Sequence, residues 1–202
     1  MLLLGRRGAA KAQTADTSFP RWKNDKKTRR ALQRTRFFED SSREAGFDHT
    51  RYVQWGTGLA DLDNDGWPDI LTVTDNVYPE VEKYFKEYSH RSIRLVYRNL
   101  GNGRFRDVSA LCGPGVMTPH STRGCAFGDF DNDGDIDVLV MNMSEPPSLL
   151  RNEYINNTGG GGNNWLKLKL IGTKSNRSAI GARVRLRTAA HLQSQEYLTF
   201  FC

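Results

Sequence analysis

Asp61-Leu62-Asp63-Asn64-Asp65-Gly66-Trp67-Pro68-Asp69 and Asp129-Phe130-Asp131-Asn132-Asp133-Gly134-Asp135-Ile136-Asp137 decide how this chain folds. Each stretch places carboxylates at positions 1, 3, 5 and 9 of a nine-residue turn, with glycine at position 6. Four carboxylates this close repel one another unless a cation stands between them. Calcium takes about 6–8 oxygen ligands, and a loop built this way can wrap oxygens around it. Glycine supplies the left-handed conformation that lets the backbone curl round the ion. The spacing therefore predicts two calcium sites. Asp61, Asp63, Asp65 and Asp69 with the carbonyl of Trp67 make one. Asp129, Asp131, Asp133 and Asp137 with the carbonyl of Asp135 make the other, the Asp135 side chain being expected to face solvent. Asn64 and Asn132 at position 4 read as turn formers.

An EF-hand opens with the same spacing but needs a bidentate Glu at position 12 and helices on both sides. Position 12 is Thr72 in one loop and Val140 in the other. The flanks Ile70-Leu71-Thr72-Val73-Thr74 and Ile136-Asp137-Val138-Leu139-Val140-Met141 are short, apolar and β-branched, which predicts buried strands. The expected unit is strand, acidic loop, strand.

The repeat extends beyond the loops. Phe38-Glu39-Asp40-Ser41-Ser42 precedes the first and Phe105-Arg106-Asp107-Val108-Ser109 the second, with glycine turns at Gly46 and Gly113. Tyr97-Arg98-Asn99 and Leu150-Arg151-Asn152 follow. An offset of 68 residues carries Asp61 onto Asp129, and the first copy holds 15 extra residues before its Arg-Asn pair. Val81, Tyr84, Phe85 and Tyr88 share one helical face, so residues 77–91 are expected to form a helical excursion, whose tyrosines read either as a binding surface or as packing on its own sheet. Glu82 and Lys86 are spaced to pair across one helical turn. Asn99-Leu100-Gly101-Asn102-Gly103 predicts a hairpin turn between strands at 93–98 and 104–108. Short strands at this period predict an all-β fold of four-stranded propeller blades. A closed propeller needs at least about four blades, and two are visible. The propeller is therefore incomplete, and further blades or another chain are expected to close it.

The run Gly124-Cys125-Ala126-Phe127-Gly128 leading into Asp129–Asp137 resembles the FG-GAP (VCBS-type) repeat of integrin α-subunit propellers and secreted bacterial proteins. The first copy departs from it, with Leu59-Ala60 in place of Phe127-Gly128. The stretch opening Asn163-Asn164-Trp165-Leu166-Lys167-Leu168-Lys169-Leu170-Ile171-Gly172 is similar to the start of the ASPIC/UnbV domain. Repeats followed by that domain are the arrangement of the cartilage acidic protein family and its bacterial relatives. The resemblance covers roughly residues 37–188 and implies an extracellular or cell-surface calcium-binding propeller without shared catalytic residues. The expected organisation is a basic leader at 1–36, two calcium-binding repeats at 37–158, a glycine linker at 159–162 and a partial ASPIC/UnbV-like module at 163–202. Residues 188–202 do not resemble the family's continuation, so a truncated or misjoined end is expected there.

Composition narrows the function classes. The net charge of +6 over 202 residues comes partly from the basic stretch Arg21–Arg36. That stretch reads as a solvated leader, not a nucleic-acid arm. No run approaches the ~20 apolar residues of a membrane span. In the C-terminal module, Leu166, Leu168 and Leu170 alternate with basic residues, as do Val184 and Leu186. Paired as a hairpin, these strands would gather Lys167, Lys169, Arg183, Arg185 and Arg187 on one face. That face reads either as a surface for acidic polysaccharide or an acidic membrane, or as a sheet side kept soluble by charge. Trp165 reads as packing. Cys112 and Cys125 could form a disulfide, although Cys125 reads as a buried free thiol. Glycosylation patterns begin at Asn142, Asn156 and Asn176. No nucleophile elbow, phosphate loop or zinc motif occurs, and the adjacent His120 and Ser121 read as a polar turn. The chain is expected to be a non-catalytic binding or adhesion module. The alternatives are an accessory propeller of a larger secreted enzyme and a structural scaffold.

Overall fold

The computed structural model describes residues 2–3, 40–47, 51–154, 163–174, 176–187 and 192–196, the first and last of these as backbone alone. The chain divides into two compact units, one of Met1–Arg7 with Ser42–Lys167 and one of Gly8–Ser41 with Leu168–Cys202. Most of the basic leader and the glycine linker at 159–162 lie outside the described residues.

In chain order the strands are β1 (Leu2–Leu3), β2 (Gln54–Ala60), β3 (Asp69–Thr74), β4 (Leu95–Asn99), β5 (Phe105–Asp107), β6 (Thr122–Gly128), β7 (Asp137–Asn142), β8 (Ser148–Leu150), β9 (Trp165–Leu166), β10 (Arg183–Arg187) and β11 (Leu192–Glu196). One-turn helices α1 (Ser42–Ala45), α2 (Val81–Tyr84) and α3 (Pro114–Met117) lie between them. In the first unit β2-β3-β4-β5 form a four-stranded antiparallel blade, and β6-β7-β8 form a second with three strands among the described residues. Among the described residues the fold is all-β and propeller-like, and the sheets do not close into a ring.

The two blades repeat in register. Leu71 faces Val96 in the first, and Leu139 faces Leu149 in the second. The first strand pair of each blade, β2-β3 and β6-β7, carries a bulge near the same place, between Gln54 and Thr57 and between Thr122 and Gly124. Bulged strands twist more strongly, which suits a blade. Strand alternation sends Leu71, Val73 and Val96 to one side of the first blade, where they pack with Val138 and Val140 of the second. Val116 of α3 completes this core. Burying each such side chain stabilises by roughly 1.5–3 kcal/mol.

Polar groups also tie the blades. Asp75 is buried and accepts from Trp55 Nε1 at 2.5 Å and from Ser121 Oγ at 2.5 Å, and it pairs with Arg123. The Arg123 guanidinium lies 4.4 Å from the centre of the Trp55 ring. Arg94, likewise buried, donates from Nη1 to the Gly115 carbonyl at 2.6 Å and from Nη2 to Ser148 Oγ at 3.0 Å. A buried charge without partners is expensive, so these contacts specify how one blade meets the next.

Several expectations are corrected. The excursion at 77–91 is one helical turn and not a longer helix. Phe85 is already extended, and only Val81 of the turn is buried, while Tyr84 and Phe85 are exposed. Glu82 turns to Ser89 Oγ and the His90 amide instead of continuing a helix toward Lys86. The reason is that a single turn without packing on both sides does not propagate. The basic hairpin is not formed: β9 pairs with β1, and β10 pairs with β11. In the second unit Arg183, Arg185 and Arg187 are exposed on one side of β10, with Leu186 buried on the other. The reading of Cys125 as a free thiol holds, and Cys112 is free as well.

Candidate metal centres

Each acidic loop joins the first two strands of its blade, β2 to β3 and β6 to β7. In the first, Asn64 and Gly66 take left-handed conformations, with φ of 56° and 95°. Asn132 and Gly134 repeat this with 62° and 98°. The curl turns backbone amides inward onto the carboxylates. Asp61 accepts from the Asp65 amide at 3.0 Å and the Gly66 amide at 2.9 Å, and Asp65 accepts from the Trp67 amide at 2.9 Å. Asp69 closes the loop, accepting from Leu62 N at 3.1 Å and from Asn99 N at 2.7 Å. Asp137 does the same with Phe130 N at 2.9 Å and Asn152 N at 2.8 Å.

Carboxylate oxygens of Asp61, Asp63 and Asp65 gather within 4.8 Å of one another, as do those of Asp129, Asp131 and Asp137. Each loop thus brings three of its four expected acidic side chains into one cluster. Asp69 stands outside the first cluster and Asp133 outside the second. Asp133 instead accepts from the Asp135 amide at 2.9 Å.

The two clusters differ in how their charge is met. In the first, Arg98 Nε lies 2.6 Å from Asp63 Oδ2, and Nη2 lies 3.3 Å from Asp65 Oδ2. Burial, and secondarily the neighbouring carboxylates, push Asp61 up to about 7. Burial raises Asp69 to about 6 against the pull of the Asn99 amide. Asp63 is raised as well, by burial first and Asp65 next, with Arg98 opposing. In the second cluster both oxygens of Asp129 are buried without a hydrogen-bond partner. Lys167 Nζ stands 3.8 Å from Asp129 Oδ2, and Arg151 Nη1 stands 3.9 Å from Asp131 Oδ2. Leaving a buried carboxylate bare is costly. A hard divalent cation with oxygen ligands fits this donor set.

The structure places the remaining site residues as follows. Asp135 does not face solvent: it is fully buried and accepts from Asn64 Nδ2 at 2.9 Å. The second loop packs on the first, a contact that no single loop announces. Trp67 leans over Gly101, where an added Cβ would meet its Nε1 at 2.8 Å. Trp165 covers Gly134 in the same way. Lys167 turns to the second loop, donating to Asn132 Oδ1 at 2.5 Å, and so leaves the basic surface proposed for it. Lys169 is exposed in the second unit. Arg98, Arg151 and the amides of Asn99 and Asn152 were missed as site residues. The recurring Arg-Asn pair was the available signal. His120 and Ser121 turn to different carboxylates, Glu145 at 2.6 Å and Asp75 at 2.5 Å. Asn142, a glycosylation candidate, spends its amide on Pro146 O and Ser148 Oγ inside the blade.

Comparison with known proteins agrees with this architecture. Residues 61–140 match the FG-GAP-like repeat family. Over 107 residues, 53% of the chain, it is 31% identical to Cartilage acidic protein 1 of Mus musculus. It spans 14% of the length of that relative.

Proposed function

We propose that this FG-GAP repeat chain is a calcium-stabilised, non-catalytic binding module of an extracellular or cell-surface protein. The observation that carries the reading is Asp129. Its two oxygens are buried without a hydrogen-bond partner beside Asp131 and Asp137, a requirement for positive charge that the Lys167 ion pair at 3.8 Å meets only in part. Asp61, Asp63, Asp65 and Asp69 with the Trp67 carbonyl would hold one ion. Asp129, Asp131, Asp133 and Asp137 with the Asp135 carbonyl would hold the other. The ion would supply structural charge neutralisation at the loop tips. Extracellular calcium modules bind at roughly 10⁻⁴–10⁻³ M, which suits a site filled permanently outside the cell. The likeness to a cartilage acidic protein supports the extracellular setting. Lys169, Arg183, Arg185 and Arg187 remain the candidates for contact with acidic polysaccharide or an acidic protein, now without Lys167.

Calcium titration by calorimetry on the whole chain tests the reading. Two sites are expected. Asp131→Asn should remove one of them, and no binding at millimolar calcium would overturn the proposal.

A further inference from the structure

The two acidic loops share one pattern, yet their first carboxylates are met differently. Asp61 accepts from the Asp65 amide at 3.0 Å and the Gly66 amide at 2.9 Å. Asp129 stands at the equivalent position. Its side chain is 2% exposed, and neither oxygen has a hydrogen-bond partner. The cation that reaches it is Lys167, with Nζ 3.8 Å from Oδ2. This lysine lies outside the repeat, beyond the glycine run at 159–162. Its segment is seated on the loops by its neighbours. Asn163 Nδ2 donates to the Asp63 carbonyl at 3.1 Å. Trp165 sits over Gly134, where an added Cβ would fall 2.0 Å from its Nε1. Lys167 directly follows β9, and residues two apart along a strand lie on one side. Seating Trp165 therefore aims Lys167 at the same loop, where Nζ donates to Asn132 Oδ1 at 2.5 Å. The Lys167 side chain stays 50% exposed. A lysine ammonium is a hydrated point charge on a flexible stem, so it can be displaced.

We propose that Lys167 is a tethered competitor for the cation site of the second loop, so that filling that site loosens the hold of the segment beyond the glycine run. The proposal rests on the calcium reading above and adds to it what sets the affinity of one site. Asp129 cannot satisfy an ammonium and a divalent cation in full, and the two positive charges repel when held side by side. Lys167 therefore weakens calcium binding at the second loop. By linkage, calcium weakens the grip of Lys167 on Asp129 and Asn132 by the same factor. At the first loop the protein cation is Arg98, which comes from β4 of the same blade and pairs with Asp63 and Asp65. There the balance of charge stays within one blade. At the second loop it is shared with a segment that the repeat does not include.

Calcium titration of the whole chain and its variants by calorimetry tests the proposal. Lys167→Met should raise the affinity of one site about tenfold, within the usual range of coupling between linked sites, and leave the other within about twofold. Lys167→Gln, neutral and hydrophilic, should repeat the gain, so the result does not hang on the folding of one variant. Lys167→Arg keeps the charge and should bind calcium as the parent does. The gain should persist when Asp63→Asn has weakened the first site, and vanish when Asp131→Asn has removed the second. Calcium bound with equal affinity by the parent and both neutral variants overturns this proposal and leaves the calcium reading standing. Weaker binding by the neutral variants does the same, because it makes the lysine a support of the loop. A gain that survives Asp131→Asn is a general effect of net charge and also overturns the proposal. No binding by parent or variant at millimolar calcium overturns both readings together.

Discussion

Asn64 Nδ2 donates to Asp135 Oδ1 at 2.9 Å, joining the tips of the two acidic loops across 71 residues of chain. Both side chains are fully buried, and Asn64 holds a left-handed backbone at φ 56°. Asn152 adds a second tie, from Nδ2 to the Leu62 carbonyl at 2.8 Å. Asn163 adds a third, to the Asp63 carbonyl at 3.1 Å. The loops are thus parts of one interface between blades, and a change in one is felt by the other.

Asn64→Gly keeps the backbone conformation but removes the donor to Asp135. Losing a buried hydrogen bond to a charged group costs about 1–3 kcal/mol. The midpoint of urea unfolding should fall accordingly at neutral pH with an unchanged slope. Asn64→Asp should cost more, because it sets a second carboxylate against Asp135. A variant as stable as the parent would show that the loops are not joined through this bond.

Acid and calcium should each stabilise the folded chain, and each should weaken the effect of the other. Without metal, folding raises Asp61 to about 7 and Asp69 to about 6, from 3.8. The folded chain then holds more protons than the unfolded chain between those limits. Stability is fully present below about pH 4 and declines as pH rises toward 7. Calcium requires ionised carboxylates, so its stabilisation should grow over the same window. Thermal melts in chelator should therefore show Tm falling from pH 5 to 7.5. The interval between calcium and chelator melts should widen with pH, and a constant interval would refute this linkage.

Arg98 touches Asp63 and Asp65, where a cation would otherwise balance the charge. Arg98→Ala should lower the stability of the metal-free chain. It should also raise the gain in Tm on adding calcium, since the ion then replaces all of the lost charge. Differential scanning calorimetry with and without calcium measures both terms, and an equal loss in the two conditions would contradict the prediction.

Gly58 is a packing requirement. An added Cβ would stand 2.0 Å from the Phe127 ring of the neighbouring blade. Gly58→Ala should destabilise by about 1–3 kcal/mol through overpacking. Phe127→Leu in the same chain should recover part of the loss. Gly124→Ala, where an added Cβ meets nothing within 4 Å, should be close to neutral. Urea unfolding of the three variants checks the contrast.

Much of the fold was legible because it is local. The acidic spacing, the glycine at position 6 and the β-branched flanks act within a dozen residues, so they identify the loop and its two strands. The Asn99–Gly103 turn placed its hairpin for the same reason, with Gly101 and Gly103 supplying left-handed conformations. The excursion was misread because Val81, Tyr84, Phe85 and Tyr88 have helical spacing but lack a surface to pack on. The basic hairpin was misread because alternation predicts a strand without naming its partner.

Residue order by itself determined the two loops, their repeat register and the aliphatic stripe on each inner strand, since each follows from backbone preferences and side-chain alternation over a few residues. Only the tertiary structure decided that Asp135 is buried against Asn64, that Lys167 turns to Asp129, and that Leu71 is covered while Leu139 is not. Those outcomes depend on which sheet lies against which. They are set by desolvation and packing between segments distant in the chain, and neither leaves a mark in local sequence.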